Sequence, residues 1–360
     1  MDEYKTNGGH LSGRMDKTMN IAVVPFNDSR DLKDRIFTVH HLFITLKEFY
    51  EAQGHVVHTY EFWKDYKDID VCFIFRRTWK LIYAMKMADV KVVYLAFEPE
   101  AVVYEHTQKG IRDLAKICDL ILTPFLDVVD GKKILYCAEY KNVDIMEKRI
   151  VPYEKKKLLC NISGCKSSRN EKELYSARVD VIKYMKDRPD FDFYGDDGWR
   201  ALGYKNFGGA CESKFDTYQN YRFALSLENV RDVPGYISEK ILDCFVAGIV
   251  PVYSGGRGVD RFIPKECYIN YFDFACVEDL ITYLEQLPRE EYDRYLASME
   301  AFLQRGGMEQ WGKEEYLRTL PKVLPAIQNS KPASKGKVIF YTVKYTILKI
   351  LKKNYFRQGI

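Results

Sequence analysis

YRFALSLENVRDVPGYISEKILDCFVAGIVPVYSGG, residues 221–256, decides the fold. Arg222–Leu227 is an apolar run that reads as a short buried strand, and it ends in the polar pair Glu228-Asn229. A loop with Pro234 and Gly235 follows. The spacing of Ile237, Ile241, Cys244, Phe245 and Gly248 then predicts a helix with one face towards a core. Ser238, Glu239 and Lys240 stand in its first turn. Ile249–Tyr253 is a second strand, and Gly255-Gly256 turn the chain. Free N–H groups and the helix dipole make such a helix start a good place for an anion.

The same alternation runs through both halves of the chain. Towards the N-terminus, Asn20–Phe26, His55–Tyr60, Asp70–Phe75, Lys91–Phe97 and Leu120–Thr123 read as strands. Phe37–Glu51, Trp79–Met87 and Thr107–Ile117 read as helices between them. A second series starts near Lys156, with strands at 158–163 and 191–195 and a helix at about Glu171–Lys186. Helices over Val277–Leu287, Glu290–Arg305 and Glu309–Leu320 close it. Strands that are nearly all apolar belong in parallel sheets covered on both faces. The expected class is therefore α/β, with two Rossmann-like domains facing each other across a cleft. The break falls in the charged stretch Tyr136–Lys157, which contains Pro152. Residues 19–150 form the first domain on this reading, 151–325 the second, and 1–18 a disordered leader. No GxGxxG follows the first strand, so a dinucleotide fingerprint is absent.

Composition narrows the function. With 360 residues, 47% hydrophobic and 29% charged, the chain is globular and does not span a bilayer. Its net charge of +4 is unevenly spread: residues 331–360 carry eight Lys and Arg and no acid, which leaves 1–330 at −4. A mildly acidic body with a basic tail argues against nucleic acid and for a local anionic surface. The nine cysteines are odd in number and several sit in apolar runs, and Cys160-x4-Cys165 has no second pair to complete a zinc site. Buried thiols in a reducing compartment follow. The polar N-terminus holds no apolar core of a signal peptide, and Met19 is a candidate internal start, so the expected location is the cytoplasm.

Open strand ends in parallel sheets carry ligand-binding loops. At one such end Glu98 follows the apolar strand KVVYLAF, where partial desolvation suits a carboxylate to general base work. Glu100, two residues on, is the alternate, and a loop cap is the plain alternative for either. Glu239 and Lys240 are read as ribose- and diphosphate-facing groups, or else as an ordinary solvated helix start. Asp196-Asp197 in FYGDDGW is either an acidic metal dyad or simple turn chemistry. His40 and His41 point opposite ways within a helix and read as structural. In the tail, Phe340, Val343, Ile347, Ile350 and Leu351 share a helical face, and Lys344 and Lys349 interrupt any run long enough to cross a bilayer. With Lys352 and Lys353 this makes a basic amphipathic helix for an anionic membrane surface, or one docked on the body.

These residues carry a resemblance. YRFALSLEN, GYISEK, FVAGIVPVYSGG and FIPKECYINYFDF (262–274) together resemble family 10 glycosyltransferases, the α-1,3/1,4-fucosyltransferases, and the bacterial ones in particular. FEPE (97–100) and ARVDVIKYM (177–185) extend the likeness over most of residues 19–300. The resemblance implies a GT-B fold, a GDP-β-L-fucose donor and inversion at the anomeric carbon. The family's donor-binding residues fall on Arg178, Asn229, Tyr236, Glu239 and Lys240, with Arg178 and Lys240 at the diphosphate. Its catalytic base falls on Glu98. The implied acceptor is the 3- or 4-hydroxyl of GlcNAc or Glc in an N-acetyllactosamine-type or lipopolysaccharide glycan. No metal is required for the leaving group, and stimulation by Mn2+ or Mg2+ stays open, as does a homodimer. The loop VRDVP before Gly235 departs from the bacterial pattern in length and charge. Two rivals stand beside this reading: a GT-B transferase using another nucleotide sugar, and a non-catalytic membrane-surface binding protein.

Overall fold

A computed structural model describes residues 17–25, 33–75, 79–141, 151–328, 330–351 and 356–358. Most of the leader 1–18, together with Lys352 and Lys353, lies outside the described residues.

The first half folds as β1 (Asn20–Val24), α1 (Ile36–Val39), α2 (His41–Glu51), β2 (Val56–Thr59), β3 (Val71–Phe75), α3 (Trp79–Met87), β4 (Lys91–Leu95), α4 (Gln108–Leu114), β5 (Leu120–Thr123) and β6 (Ile134–Tyr136). Its strands form one parallel sheet in the order β2-β1-β3-β4-β5-β6. The second half adds β7 (Lys157–Ile162), β8 (Lys166–Ser168), α5 (Tyr175–Tyr184), β9 (Phe191–Tyr194), α6 (Lys214–Tyr218), β10 (Tyr221–Leu227), α7 (Glu239–Ala247), β11 (Val250–Ser254) and β12 (Ile269–Asn270). A second parallel sheet runs β12-β11-β10-β7-β9. Strands buried on both faces explain the unbroken apolar runs: all five residues of β3 and of β11 are buried. Cys72, Cys118, Cys137, Cys160, Cys165, Cys244 and Cys267 are buried with them.

Two expected helices depart from expectation. The helix expected over 37–51 breaks at His40, which is extended (φ −124°, ψ 105°) between α1 and α2. The helix expected to stop at Leu320 continues as α10 (Lys313–Gln328), through Pro321 and Pro325. Both prolines lie on the exposed side, where water can serve the carbonyls they leave unpaired, while Val323, Leu324 and Ile327 are buried opposite. After α8 (Val277–Gln286) and α9 (Arg289–Gln304), α10 also leaves the second half of the molecule. Its Tyr316, Leu320, Val323, Leu324 and Ile327 pack with Phe43, Tyr50 and Phe73 against the first sheet. An amphipathic helix must bury its stripe, but the stripe does not say against which sheet.

The tail forms α11 (Lys335–Leu351), which is docked on the first half. Tyr345 stacks on Trp79 with ring centroids 4.4 Å apart and donates to Asp113 Oδ2 (3.0 Å), and Val338 is buried in the same core. Lys344 pairs with Asp113 at 2.6 Å. Lys344 was expected at a lipid surface; its ammonium is instead taken up by this carboxylate. The face expected to be apolar remains open: Phe340 is 61% exposed, Ile347 51% and Leu351 74%. Lys349 is exposed beside it. The helix is thus apolar on two sides, one docked and one in solvent. No described helix is long and apolar enough to cross a membrane. Beyond it, β13 (Phe356–Gln358) pairs antiparallel with β8 in the other half.

Candidate active site between the two sheets

The carboxyl ends of both sheets open on one cleft of about 480 Å³. The first half contributes Glu98, three residues beyond β4, and Glu139, three beyond β6. Ser163 and Gly164 follow β7, Gly195 and Asp196 follow β9, and Asn229 follows β10. Arg178 on α5, Tyr236, and Ser238, Glu239 and Lys240 at the start of α7 complete one wall. Glu98, Arg178, Asn229, Tyr236, Glu239 and Lys240, singled out from the sequence, all line this cleft. Glu100 does not; it faces a separate hollow of about 70 Å³ with His106, Gln108, Asp127 and Lys172.

The wall is organised by a buried acid. Glu228, with no exposed surface, accepts from the Ser238 amide (2.7 Å), the Ser238 hydroxyl (2.6 Å) and the Tyr253 hydroxyl (3.2 Å). Lys240 Nζ lies 3.5 Å from its other flank and donates to Ser238 Oγ at 3.0 Å. One carboxylate therefore ties the end of β10, the cap of α7 and the neighbouring strand together, and satisfies an amide that would otherwise be orphaned. Arg178 closes the other side. Its guanidinium donates to the carbonyls of Leu227 (2.6 Å) and Glu228 (2.7 Å) and to Asn229 Oδ1 (3.2 Å), and stacks on Tyr175. Burial lowers its pKa from the usual arginine value. Asn229 in turn donates to the Tyr236 hydroxyl (3.3 Å), which burial makes harder to ionise.

The loop VRDVP, before Gly235, makes one of the contacts between the halves. Leu126 N donates to Pro234 O (3.0 Å), and Val230 and Tyr236 join the core of the first half. At Gly235, with φ +82°, a Cβ would lie 2.2 Å from the Pro124 carbonyl, so only glycine allows this approach. Arg231 lies over the Phe272 ring, and Asp232 N bonds Gly255 O (3.3 Å).

The charges across the cleft are interleaved. Glu239 sits among Lys240 (3.5 Å), Lys141 (3.5 Å) and Lys214 (3.9 Å). Burial would raise its pKa, but these three cations hold it well below the usual carboxylate range. Burial holds the Glu139 carboxyl above its ordinary range, offset in part by Lys141 and reinforced by Glu98 and Glu239. Glu98 is placed by its backbone: its carbonyl accepts from His106 Nδ1–H, and His106 Nε2 accepts from the Tyr94 hydroxyl at 3.0 Å.

Asp196 belongs to the turn. It accepts from the amides of Gly198 and Cys165, both at 3.0 Å, and the exposed Asp197 pairs with Arg200. No group of three or more His, Cys, Asp or Glu is placed to hold a metal ion among the described residues. Glu139, Lys141 and Lys214 went unread in the sequence. Glu139 and Lys141 follow β6 with no period to mark them, and the meeting of the two halves sets them against Glu239; Lys214 begins the short α6 and reaches the cleft within the second half.

Residues 152–334 match the model of glycosyltransferase family 10 (fucosyltransferase), C-terminal part. Among curated proteins, the α-(1,3)-fucosyltransferase FucT of Helicobacter pylori is 29% identical over 87 residues, 24% of this chain and 17% of the relative. The α-(1,4)-fucosyltransferase of Arabidopsis thaliana is 31% identical over 106 residues, 28% of this chain and 25% of the relative. The chain thus spans about a quarter or less of these relatives' lengths. Among solved structures, an α1,3-fucosyltransferase with GDP-fucose superposes with a TM-score of 0.55 at 14% identity, covering 87% of this chain and 91% of the other. The HepE protein of Anabaena in complex with UDP-glucose gives 0.55 at 10% identity, covering 86% and 100%. The fold is GT-B, and with the family model matched over half of its length, the chain belongs to glycosyltransferase family 10, the fucosyltransferases.

Proposed function

We propose that this protein transfers L-fucose from GDP-β-L-fucose to a hydroxyl of an oligosaccharide, with inversion at the anomeric carbon. The observation that carries this is the meeting, in one cleft, of a carboxylate from the first sheet with a cationic helix start from the second. A diphosphate fits between Lys240, Arg178 and the first turn of α7, where cation, guanidinium and dipole all favour negative charge. Glu239 and Asn229 are the acceptors and donors within reach of ribose or fucose hydroxyls, with Tyr236 beside them. The acceptor hydroxyl lies between Glu98 and the anomeric carbon. Its oxygen forms the new glycosidic bond, its proton passes to Glu98, and the bond from fucose to the β-phosphate breaks on the opposite face. Charge grows on the departing phosphate oxygen, where Lys240 and Arg178 stabilise it more in the transition state than before. A 3- or 4-hydroxyl of GlcNAc or Glc in an N-acetyllactosamine-type or lipopolysaccharide glycan is the acceptor this reading favours.

Lys240→Ala is expected to weaken GDP binding by about 2–3 kcal/mol, as for loss of a charge-assisted contact. Calorimetry reads it, and an unchanged affinity removes Lys240 from the diphosphate. The reading as a whole is tested by a panel of nucleotide sugars with an N-acetyllactosamine acceptor, followed by linkage analysis of the product. GDP release from GDP-fucose above all other donors supports it. Turnover with UDP-glucose instead would favour the rival suggested by the Anabaena likeness.

We also propose that this chain attaches to an anionic membrane, from the cytoplasmic side; the open apolar face of α11 supports the attachment itself. Removing the whole tail would also strip Val338 and Tyr345 from the core, so a point change separates the two. Ile347→Glu is expected to abolish binding to phosphatidylserine vesicles and to keep activity on a soluble acceptor. Sedimentation with vesicles checks this, and undiminished binding would leave the exposed face without a lipid partner.

A further inference from the structure

Lys141 lies just past β6, where the chain leaves the first half. Its amide donates to the Trp311 carbonyl at 2.9 Å, two residues before α10 carries the chain back. Two of the connections between the halves are therefore bonded to each other at this residue. Its ammonium, largely buried, lies 3.0 Å from Glu139 Oε2 and 3.5 Å from Glu239 Oε2. Glu139 belongs to the first half of the cleft and Glu239 begins the donor-side helix. No step of the chemistry above uses Lys141, and its side chain does not line the cleft.

We infer that Lys141 is a positioning residue that holds Glu139 and Glu239, from opposite halves, as aligned carboxylates beside the diphosphate clamp. The inference rests on the nucleotide-sugar reading. Four carboxylates, Glu98, Glu139, Asp196 and Glu239, line this cleft; Asp196 is held by the amides of its own turn, and a bound diphosphate adds further negative charge to the other three. Lys240 and Lys214 oppose them from the donor side, and Lys214 is shared with Asp243 at 2.8 Å. Among the described residues, only Lys141 opposes them from the connection between the halves. It also faces His40 at the break between α1 and α2; burial, then Lys141, keep that ring neutral, with a pKa lowered to about 4. Without Lys141 the carboxylates repel one another and the incoming diphosphate, and Glu239 loses the contact that aims it.

The test is GDP affinity by calorimetry, with each variant compared with the parent protein at about pH 8 and about pH 5.5, since a fall in pH moves a carboxylate raised by burial towards its protonated form first. Lys141→Met is expected to bind GDP about tenfold more weakly at the higher pH and to recover part of that loss at the lower, because burial holds the Glu139 carboxyl above its ordinary range and proton uptake there relieves the repulsion. Lys141→Arg is expected to stay within about twofold of the parent at both. Parent-like affinity of Lys141→Met at both pH values would overturn the inference. So would an equal loss at both that arginine does not restore, since that marks packing alone. If Lys141→Met does not fold, Lys141→Gln, similar in length and uncharged, is judged by the same outcomes. The measurement needs no turnover. A parent protein that binds GDP and leaves GDP-fucose intact would end the fucosyl reading and leave this inference to stand or fall on the affinities.

Discussion

Glu98→Ala is expected to bind GDP as the parent does and to turn over about 10²- to 10⁴-fold more slowly, the range lost with a general base. The effect should fall on kcat, because the carboxylate meets the acceptor proton only as the new bond forms. The backbone contact from His106 to the Glu98 carbonyl survives the substitution, so the loop should hold its course. Glu139 is the competing carboxylate on the same side of the cleft. Glu139→Gln keeps the shape and removes the charge. If that variant lost as much kcat while Glu98→Ala kept most of it, the base would be Glu139. Single-turnover measurements with GDP-fucose, with GDP affinity taken alongside, separate the two.

Glu228→Ala should cost stability before it costs chemistry. The substitution removes the acceptor for a buried amide, a buried serine hydroxyl and a buried tyrosine hydroxyl, and leaves Lys240 without its inner partner. Breaking one side of a buried charged network costs about 3–5 kcal/mol. Denaturant unfolding measures it, and a loss under about 1 kcal/mol would show that water replaces the carboxylate easily. Ser238→Ala, which keeps the amide bond to Glu228, should lose only about 1 kcal/mol, as for an ordinary helix cap. The pair of variants separates the acid's organising role from helix capping.

How far the sequence carried this depends on whether a signal was local. β10, α7 and β11 were legible because their apolar periods are clean and their polar ends abrupt. Glu98 was legible because a carboxylate closing an apolar strand is chemically conspicuous. Glu228 was visible as an oddity, but its work was not, because three of its partners lie 10 to 25 residues away. Glu139 and Lys141 had no period to mark them; they matter only where the two halves of the chain meet. For α10 the amphipathic stripe was plain and its destination was not, since either sheet offers an apolar face. The tail was read from its exposed stripe, with docking on the body as the alternative; the docked side, Val338 and Tyr345, was not picked out, because apolar residues lie on more than one side of this helix.

The return of α10 and α11 to the first half has a consequence for synthesis on the ribosome. Chains commonly fold their N-terminal domain first as they emerge. Here the first sheet cannot complete its covering layer until residues 316–345 have been made. Every residue of the second sheet, from 157 to 270, emerges earlier. The part made first is thus finished last, and the nascent chain must carry Phe43, Tyr50 and Phe73 incompletely covered while the donor half closes.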